Sequence, residues 1–419
     1  MISAQSTTAT ATAPGRLFEQ ILDPASRPNP YPLYAQLREQ PVTVQDDGSY
    51  VVSTYAEISR LLHDPRISSD ERKSARGAGA LAASGRLNSG GEPRNPAFIF
   101  LDPPEHDRLR RLVMRHFTPT RIGGMHQRIV QLVDGLIDAR SDLGELDVVG
   151  DLAYPLPVAV ICELLGVPRE DERRFHGWSS ALIRSLDPAA GMTESEIQQA
   201  GQAAQQMRDY FAELVEVRRA RPADDLLSAL LSETDPDDRM SDQELLSTMA
   251  LLLIAGHETT VNLVTNGMLT LLRHPDVLDR LRDDPALALT MVEEILRYDP
   301  PVQYRTRTTL ADIQIAGTTV PAAATVVLLL ASGSRDPRRF PAADSFVPDR
   351  TDNVHFGFGG GGHYCVGAPL ARMEAQVALA ALARRLQAPR LLTEPPSYRD
   401  NAALRGPAHL PVAFDRLRT

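Results

Sequence analysis

A chain of 419 residues, 43% hydrophobic and 23% charged, has ordinary globular composition and is long enough to bury a large core. Its formal net charge of −10 works against nucleic-acid binding, which calls for a basic face. Two cysteines far apart, Cys162 and Cys365, argue against a disulfide framework and fit a reducing compartment.

In chain order, residues 1–15 are rich in Ala, Thr and Ser and lack a basic start followed by an apolar stretch. They read as a disordered tail rather than a signal peptide. No run reaches the ~18 consecutive apolar residues of a membrane span, so no membrane anchor is expected. Residues 42–44 and 50–52 alternate around Asp47-Gly48 and read as a β-hairpin. Residues 74–91, rich in Gly, Ala and Ser, read as a mobile loop. Lys73, just before it, is the only lysine in the chain.

From about residue 104 the pattern is mainly helical, with minor β structure. His106 and Arg110 are four apart, so one helix face can bring both to a single anionic group. Cys162 sits in the apolar run 158–162 and reads as core. Ser241 and Glu244 form a capping box that opens a long helix, which Pro275 stops. On it lies Ala255-Gly256-His257-Glu258-Thr259, with 255, 258, 259 and 262 expected on one face. A polar pair inside an apolar helix is costly without a task; the other reading is that Glu258 and Thr259 face solvent. Gly256 is expected to leave room for a planar ligand, and Thr259 to bond an upstream carbonyl. Residues 312–315 and 325–330 read as further short strands.

The most informative stretch is Phe358-Gly359-Gly360-Gly361-Gly362-His363-Tyr364-Cys365-Val366-Gly367. Glycines allow tight turns that aim backbone N–H groups at a sulfur, and let backbone pass close to a flat cofactor. Such a cysteine serves as a metal thiolate or remains a free thiol in a flexible loop. Pro369 follows, where a helix can begin.

This loop resembles the haem-binding signature of the cytochrome P-450 superfamily at Phe358, Gly359, Gly361, His363, Cys365 and Gly367. Ala255, Gly256, Glu258 and Thr259 are similar to that superfamily's oxygen-activation motif. The resemblance runs from about residue 30 to 415, and its absent anchor matches soluble, cytoplasmic bacterial (actinobacterial-like) members. It implies a mainly α, triangular helical fold with small β-sheets over 16–419 as one catalytic domain. It further implies haem b as cofactor, Cys365 as the metal ligand, and His106, Arg110, Arg307 and His363 as propionate partners. Thr259 would deliver protons to oxygen, with Glu258 linking the site to solvent. Glu294, Arg297 and Arg350 would form a structural network under the haem loop. Residues 74–91 and 175–210 would cover the substrate pocket.

The activity so implied is a haem-thiolate monooxygenase that hydroxylates or epoxidises a hydrophobic small molecule and binds azoles. Electrons would come from a ferredoxin and an NAD(P)H-dependent ferredoxin reductase, with Arg108, Arg111, Arg115 and Arg372 as a basic docking patch. The protein is expected to be monomeric. The alternatives are a peroxide-driven enzyme of the same fold, which Glu258-Thr259 disfavours, and a haem sensor or carrier without turnover.

Overall fold

The computed structural model describes residues 14–77, 97–140, 144–184, 193–233, 235 and 239–418. Residues 1–13 of the expected tail and most of the 74–91 loop lie outside the described residues, whereas Pro14 and Gly15, expected in the tail, open the helix Pro14–Leu22. One helix, Asp242–Arg273, organises the rest. Ser241 caps it by accepting from the Glu244 N–H at 3.3 Å, while the Glu244 carboxylate accepts from the Ser241 N–H at 2.8 Å. The helix is 32 residues long, or about 48 Å at the usual rise. It ends at His274, after which Pro275 starts a new helix, Pro275–Asp283.

So long a helix is stable in the interior because it is packed on several sides. Helices Pro155–Leu165 and Ala368–Arg385 make its most extensive helical contacts, with Glu194–Ala220 and Ala288–Tyr298 beside them. Its second half is buried almost all round, from Thr260 to Leu271. The segment Val148–Leu165 is long and apolar enough to cross a membrane by composition, but two-thirds of it is buried inside the protein. It is a core element, and Cys162 within it is fully buried as expected.

The hairpin forms as read, with Thr43 opposite Val51 in antiparallel register. It belongs to a five-stranded sheet in the order Val42–Val44, Tyr50–Val52, Thr325–Leu328, Arg305–Thr309, Ile67–Ser68. The strand Arg305–Thr309 is not legible in the sequence, because Arg-Thr-Arg-Thr-Thr shows no apolar alternation. Pairing with Thr325–Leu328 makes it a strand, with Arg307 opposite Val326. The expected strand 325–330 ends at Leu328, since Leu330–Gly333 turns into a helix. Ile313–Ile315 pairs instead with Thr318–Val320 through Ala316 and Gly317, both at positive φ, the backbone of a tight hairpin turn.

Candidate active site

One cavity of about 230 Å³ lies between the central helix, the 358–367 loop and the strand Arg305–Thr309. Cys365, Thr259, Ala255, Gly256, Arg110, Arg307, Phe358, Gly359, His363 and Gly367 all line it. The sequence thus placed residues up to about 260 positions apart around a single space.

The loop owes its shape to close approaches. Gly359 and Gly361 adopt φ of 72° and 61°, where side chains are strained. A Cβ on Gly361 would also stand 1.9 Å from the Leu62 carbonyl oxygen. The Cys365 N–H donates to the Phe358 carbonyl at 3.0 Å, closing the loop on itself. The Cys365 side chain is exposed to the cavity. Burial of the sulfur raises its thiol pKa, while the Gly367 and Ala368 N–H groups and the Arg110 and Arg372 charges pull the other way. Those N–H groups belong to the start of helix Ala368–Arg385, which carries Pro369 in its first turn.

The loop rests on a rigid base. Arg297, with 0% exposure, donates to both oxygens of Glu294 at 2.8 and 2.7 Å. Arg350, the Val347 N–H and Asn353 Nδ2 also donate to the carboxylate, at 3.1, 2.8 and 3.3 Å. The expected Glu–Arg–Arg triad therefore assembles, and it is fully buried around Glu294. A neighbouring unit adds to it: Glu293 accepts from Arg372 at 2.7 Å and pairs with His355 at 3.2 Å. Burial opposes the Glu293 charge, but those two partners prevail and hold its carboxyl at about 2. Arg372 also lies over the Phe358 ring, 4.5 Å from its centroid.

The central helix contributes differently from the sequence reading. Ala255 and Thr259 do face the cavity, and Thr259 Oγ1 donates to the Ala255 carbonyl at 2.8 Å, as expected. Glu258 and Asn262 do not share that face. Both turn toward Arg399, whose Nη1 donates to Glu258 Oε2 at 2.7 Å and to Asn262 Oδ1 at 3.2 Å. Spacing of three and four spans an arc wider than one ligand, and an ion pair decides where the acid points. Gly256 carries a second constraint. It lines the cavity, but a Cβ there would meet Ile161 Cδ1 and Cγ1 at 2.9 Å, so helix packing requires the glycine as directly as any ligand.

The propionate candidates gather at one end. His106 is 1% exposed and its ring packs 4.1 Å from that of His363. Its Nδ1 pairs with Asp107 at 2.8 Å, whereas its buried Nε2 has no partner. Arg110 donates to the Tyr364 carbonyl at 2.6 Å. Arg307 donates to the Thr306 carbonyl and has no ion pair among the described residues. Burial, then repulsion from Arg305, pushes it down to about 10. Burial also drives His363 down to about 3, assisted by Arg307 and His106.

Sequence reasoning missed two acids or partners here. Glu374 lines the cavity, is 1% exposed, and has Oε2 unpartnered, so burial lifts its carboxyl well above the ordinary range. Its signal was a lone acid on the inner side of an alanine-rich helix. Arg399 had no local signal, since it reaches Glu258 from 141 residues away. The proposed basic patch is largely compensated within the chain. Arg108 pairs with Glu244, Arg115 with Glu233 and Arg372 with Glu293.

The cytochrome P450 family model matches residues 79–409. The chain belongs to that family. It is 40% identical over 401 residues to the cytochrome P450 monooxygenase PikC of Streptomyces venezuelae, covering 93% of this chain and 92% of PikC. It is 40% identical over 394 residues to the vitamin D(3) 25-hydroxylase of Pseudonocardia autotrophica, with 92% and 94% covered. Among solved structures it is similar to Mycobacterium smegmatis CYP164A2 with econazole bound, at a TM-score of 0.87 and 42% identity, with 96% and 100% covered. The chain is accordingly a P450 monooxygenase, and haem b is its cofactor.

The cavity fits that cofactor on its own evidence. The buried His106 Nε2 without a partner is costly unless a polar group meets it, and half-buried Arg307, with no ion pair among the described residues, offers its charge to an anion. A sulfur at a helix start with two N–H groups aimed at it suits a metal-bound thiolate.

Proposed function

We propose that this P450 monooxygenase hydroxylates or epoxidises an apolar small molecule above a haem held by Cys365, with His106, Arg110, Arg307 and His363 binding the propionates. The observation that carries this reading is the shared cavity, where the Cys365 sulfur, its two N–H groups, and Thr259 meet around one space. Bound haem supplies the oxidising chemistry, and a thiolate ligand favours O–O cleavage. The chain's own groups do the rest. Phe98, Ile99, Phe100, Leu251 and Val302 give the cavity an apolar wall that holds substrate and excludes water. Thr259 gives its own hydrogen to the Ala255 carbonyl, so its oxygen lone pairs are left to accept from a proton-bearing group in the cavity. In this reading Glu258, one position earlier and turned toward Arg399, links the site to solvent protons.

The electron donor in this reading is a ferredoxin with its NAD(P)H-dependent reductase, and the working compartment is the cytoplasm, in keeping with the bacterial relatives. Azoles bind in the same cavity, as the econazole complex of CYP164A2 supports. Vitamin D(3), the substrate in the name of one relative, shows the kind of large apolar molecule that such a wall suits.

Two substitutions test the roles. Cys365→His should abolish the red-shifted Soret band of the reduced carbon monoxide complex, while Cys162→Ser, in the core, should leave it. Thr259→Ala should keep haem content but divert NAD(P)H consumption into hydrogen peroxide, measured with a compound chosen by its spectral shift of the haem. An unchanged band in the Cys365 variant, or wild-type coupling in the Thr259 variant, removes the corresponding role.

A further inference from the structure

The guanidinium of Arg372 is held from two sides. Its Nε and Nη2 donate to the two oxygens of Glu293 at 2.7 and 2.9 Å, and Nη2 also donates to the Tyr364 hydroxyl at 3.2 Å. The same group lies over the Phe358 ring, 4.5 Å from its centroid. His355 ties the carboxylate to the loop. Its Nε2 meets Glu293 Oε2 at 3.2 Å, while its Nδ1 accepts from the Gly357 N–H at 3.0 Å.

This arrangement is coupled to the cysteine in two ways. The Cys365 N–H donates to the Phe358 carbonyl at 3.0 Å, so the ring beneath the guanidinium and the sulfur are fixed in one loop. Arg372 also stands in the second turn of helix Ala368–Arg385, at whose start the Gly367 and Ala368 N–H groups meet that sulfur. Its charge, with that of Arg110, favours the ionised sulfur against burial. The counter-charge, Glu293, comes from a different helix, Ala288–Tyr298. Cation and anion therefore reach the loop on separate supports, and each can be removed without the other.

We propose that the Arg372–Glu293 pair tunes the reduction potential of the haem that Cys365 holds, the guanidinium favouring the reduced form and the carboxylate opposing it. The inference rests on the ligand role given to Cys365 above. Ferric iron, a porphyrin dianion and a thiolate are neutral in sum. One electron from the donor leaves one negative charge there, and no bond is made or broken. A nearby cation stabilises that added charge and a nearby anion disfavours it. Groups around an axial ligand are among the levers a protein has over such a potential. Arg372 and Glu293 act through Phe358 and Cys365 and are positioning residues.

Anaerobic redox titration of the haem-loaded, substrate-free protein at neutral pH tests it, with dithionite as reductant and the ferric and ferrous bands as readout. At the wild-type midpoint, Arg372→Gln should lower the ferrous-to-ferric ratio by about tenfold, the size expected for a unit charge roughly 10 Å away at an effective dielectric of ~20. For one electron that is a fall of about 59 mV. Glu293→Gln should raise the ratio, and the double variant should return to within about twofold of wild type. Arg372→Lys keeps the charge and should also stay within about twofold, even where it lowers thermal stability. A loosened loop would instead move both single variants the same way and the double variant further. An unmoved ratio in Arg372→Gln, or shifts of one sign in both single variants, overturns the inference. Should Arg372→Gln fail to retain haem, Glu293→Gln keeps the guanidinium and decides alone, a fall or no change being the contrary result. The red-shifted band of the reduced carbon monoxide complex, recorded for each protein, reports the Cys365 ligand separately. Its absence in the wild type fails that reading, whereas its presence beside an unmoved ratio fails only this one.

Discussion

Gly256→Ala isolates what the glycine of the central helix is for. An alanine Cβ would lie 2.9 Å from both Ile161 Cδ1 and Cγ1 and 3.5 Å from Ile161 Cβ, so rotating the isoleucine gives limited relief. Overpacking of this kind costs about 1–3 kcal/mol. Alanine in a helix interior regains about 1 kcal/mol over glycine. The net effect should be a loss of about 1 kcal/mol in denaturant unfolding of the haem-loaded protein. Ile161→Ala alone should cost about 2–5 kcal/mol, but it removes the obstructing atoms. Adding Gly256→Ala to it should then be stabilising by about 1 kcal/mol, a coupling of about 2 kcal/mol between the two sites. The assay is a double-mutant cycle with haem content measured for each protein. Equal destabilisation by Gly256→Ala in both backgrounds, with haem lost in each, would show that the methyl collides with the cofactor instead of the neighbouring helix.

Two further expectations concern the base of the haem loop. Glu294→Gln leaves the wholly buried Arg297 without its counter-charge, which should destabilise by about 3–5 kcal/mol; loss of the Soret band at a lower temperature than wild type is the readout. Glu293 has a depressed carboxyl, held at about 2, so its contribution is complete above the ordinary carboxylate range near pH ~4.3 and disappears as pH falls toward about 2. Arg372→Gln should therefore move acid loss of haem to higher pH, and an unshifted acid midpoint would contradict the pairing.

The sequence carried the chemistry further than the architecture. The capping box and Pro275 gave the central helix to within a residue at each end, because caps and breakers act locally. The 358–367 loop was legible because positive φ at Gly359 and Gly361 narrows the choice of residue. Arg305–Thr309 was invisible because its strand state comes from partners, Thr325–Leu328 and Ile67–Ser68, rather than from its own pattern. The direction of Glu258 was misjudged for a related reason. Helical spacing places it near the cavity, but Arg399, far along the chain, draws it onto the next face. Buried atoms without partners, such as His106 Nε2 and Glu374 Oε2, have no signature in sequence, since being unpartnered is a property of the finished interior.

The pairing of Arg108, Arg115 and Arg372 with carboxylates of the same chain has a kinetic meaning. Charges cancelled within a few ångströms produce little field beyond a Debye length of about 10 Å at moderate salt. An electron carrier would be guided weakly by those three guanidinium groups. Encounter should then run nearer the unsteered range of about 10⁵–10⁶ M⁻¹s⁻¹ than the steered one, with a shallow response to ionic strength. Selection of the carrier would fall to surface shape and short-range contact, and a carrier able to compete for Arg108, Arg115 or Arg372 would have to displace the chain's own carboxylates first.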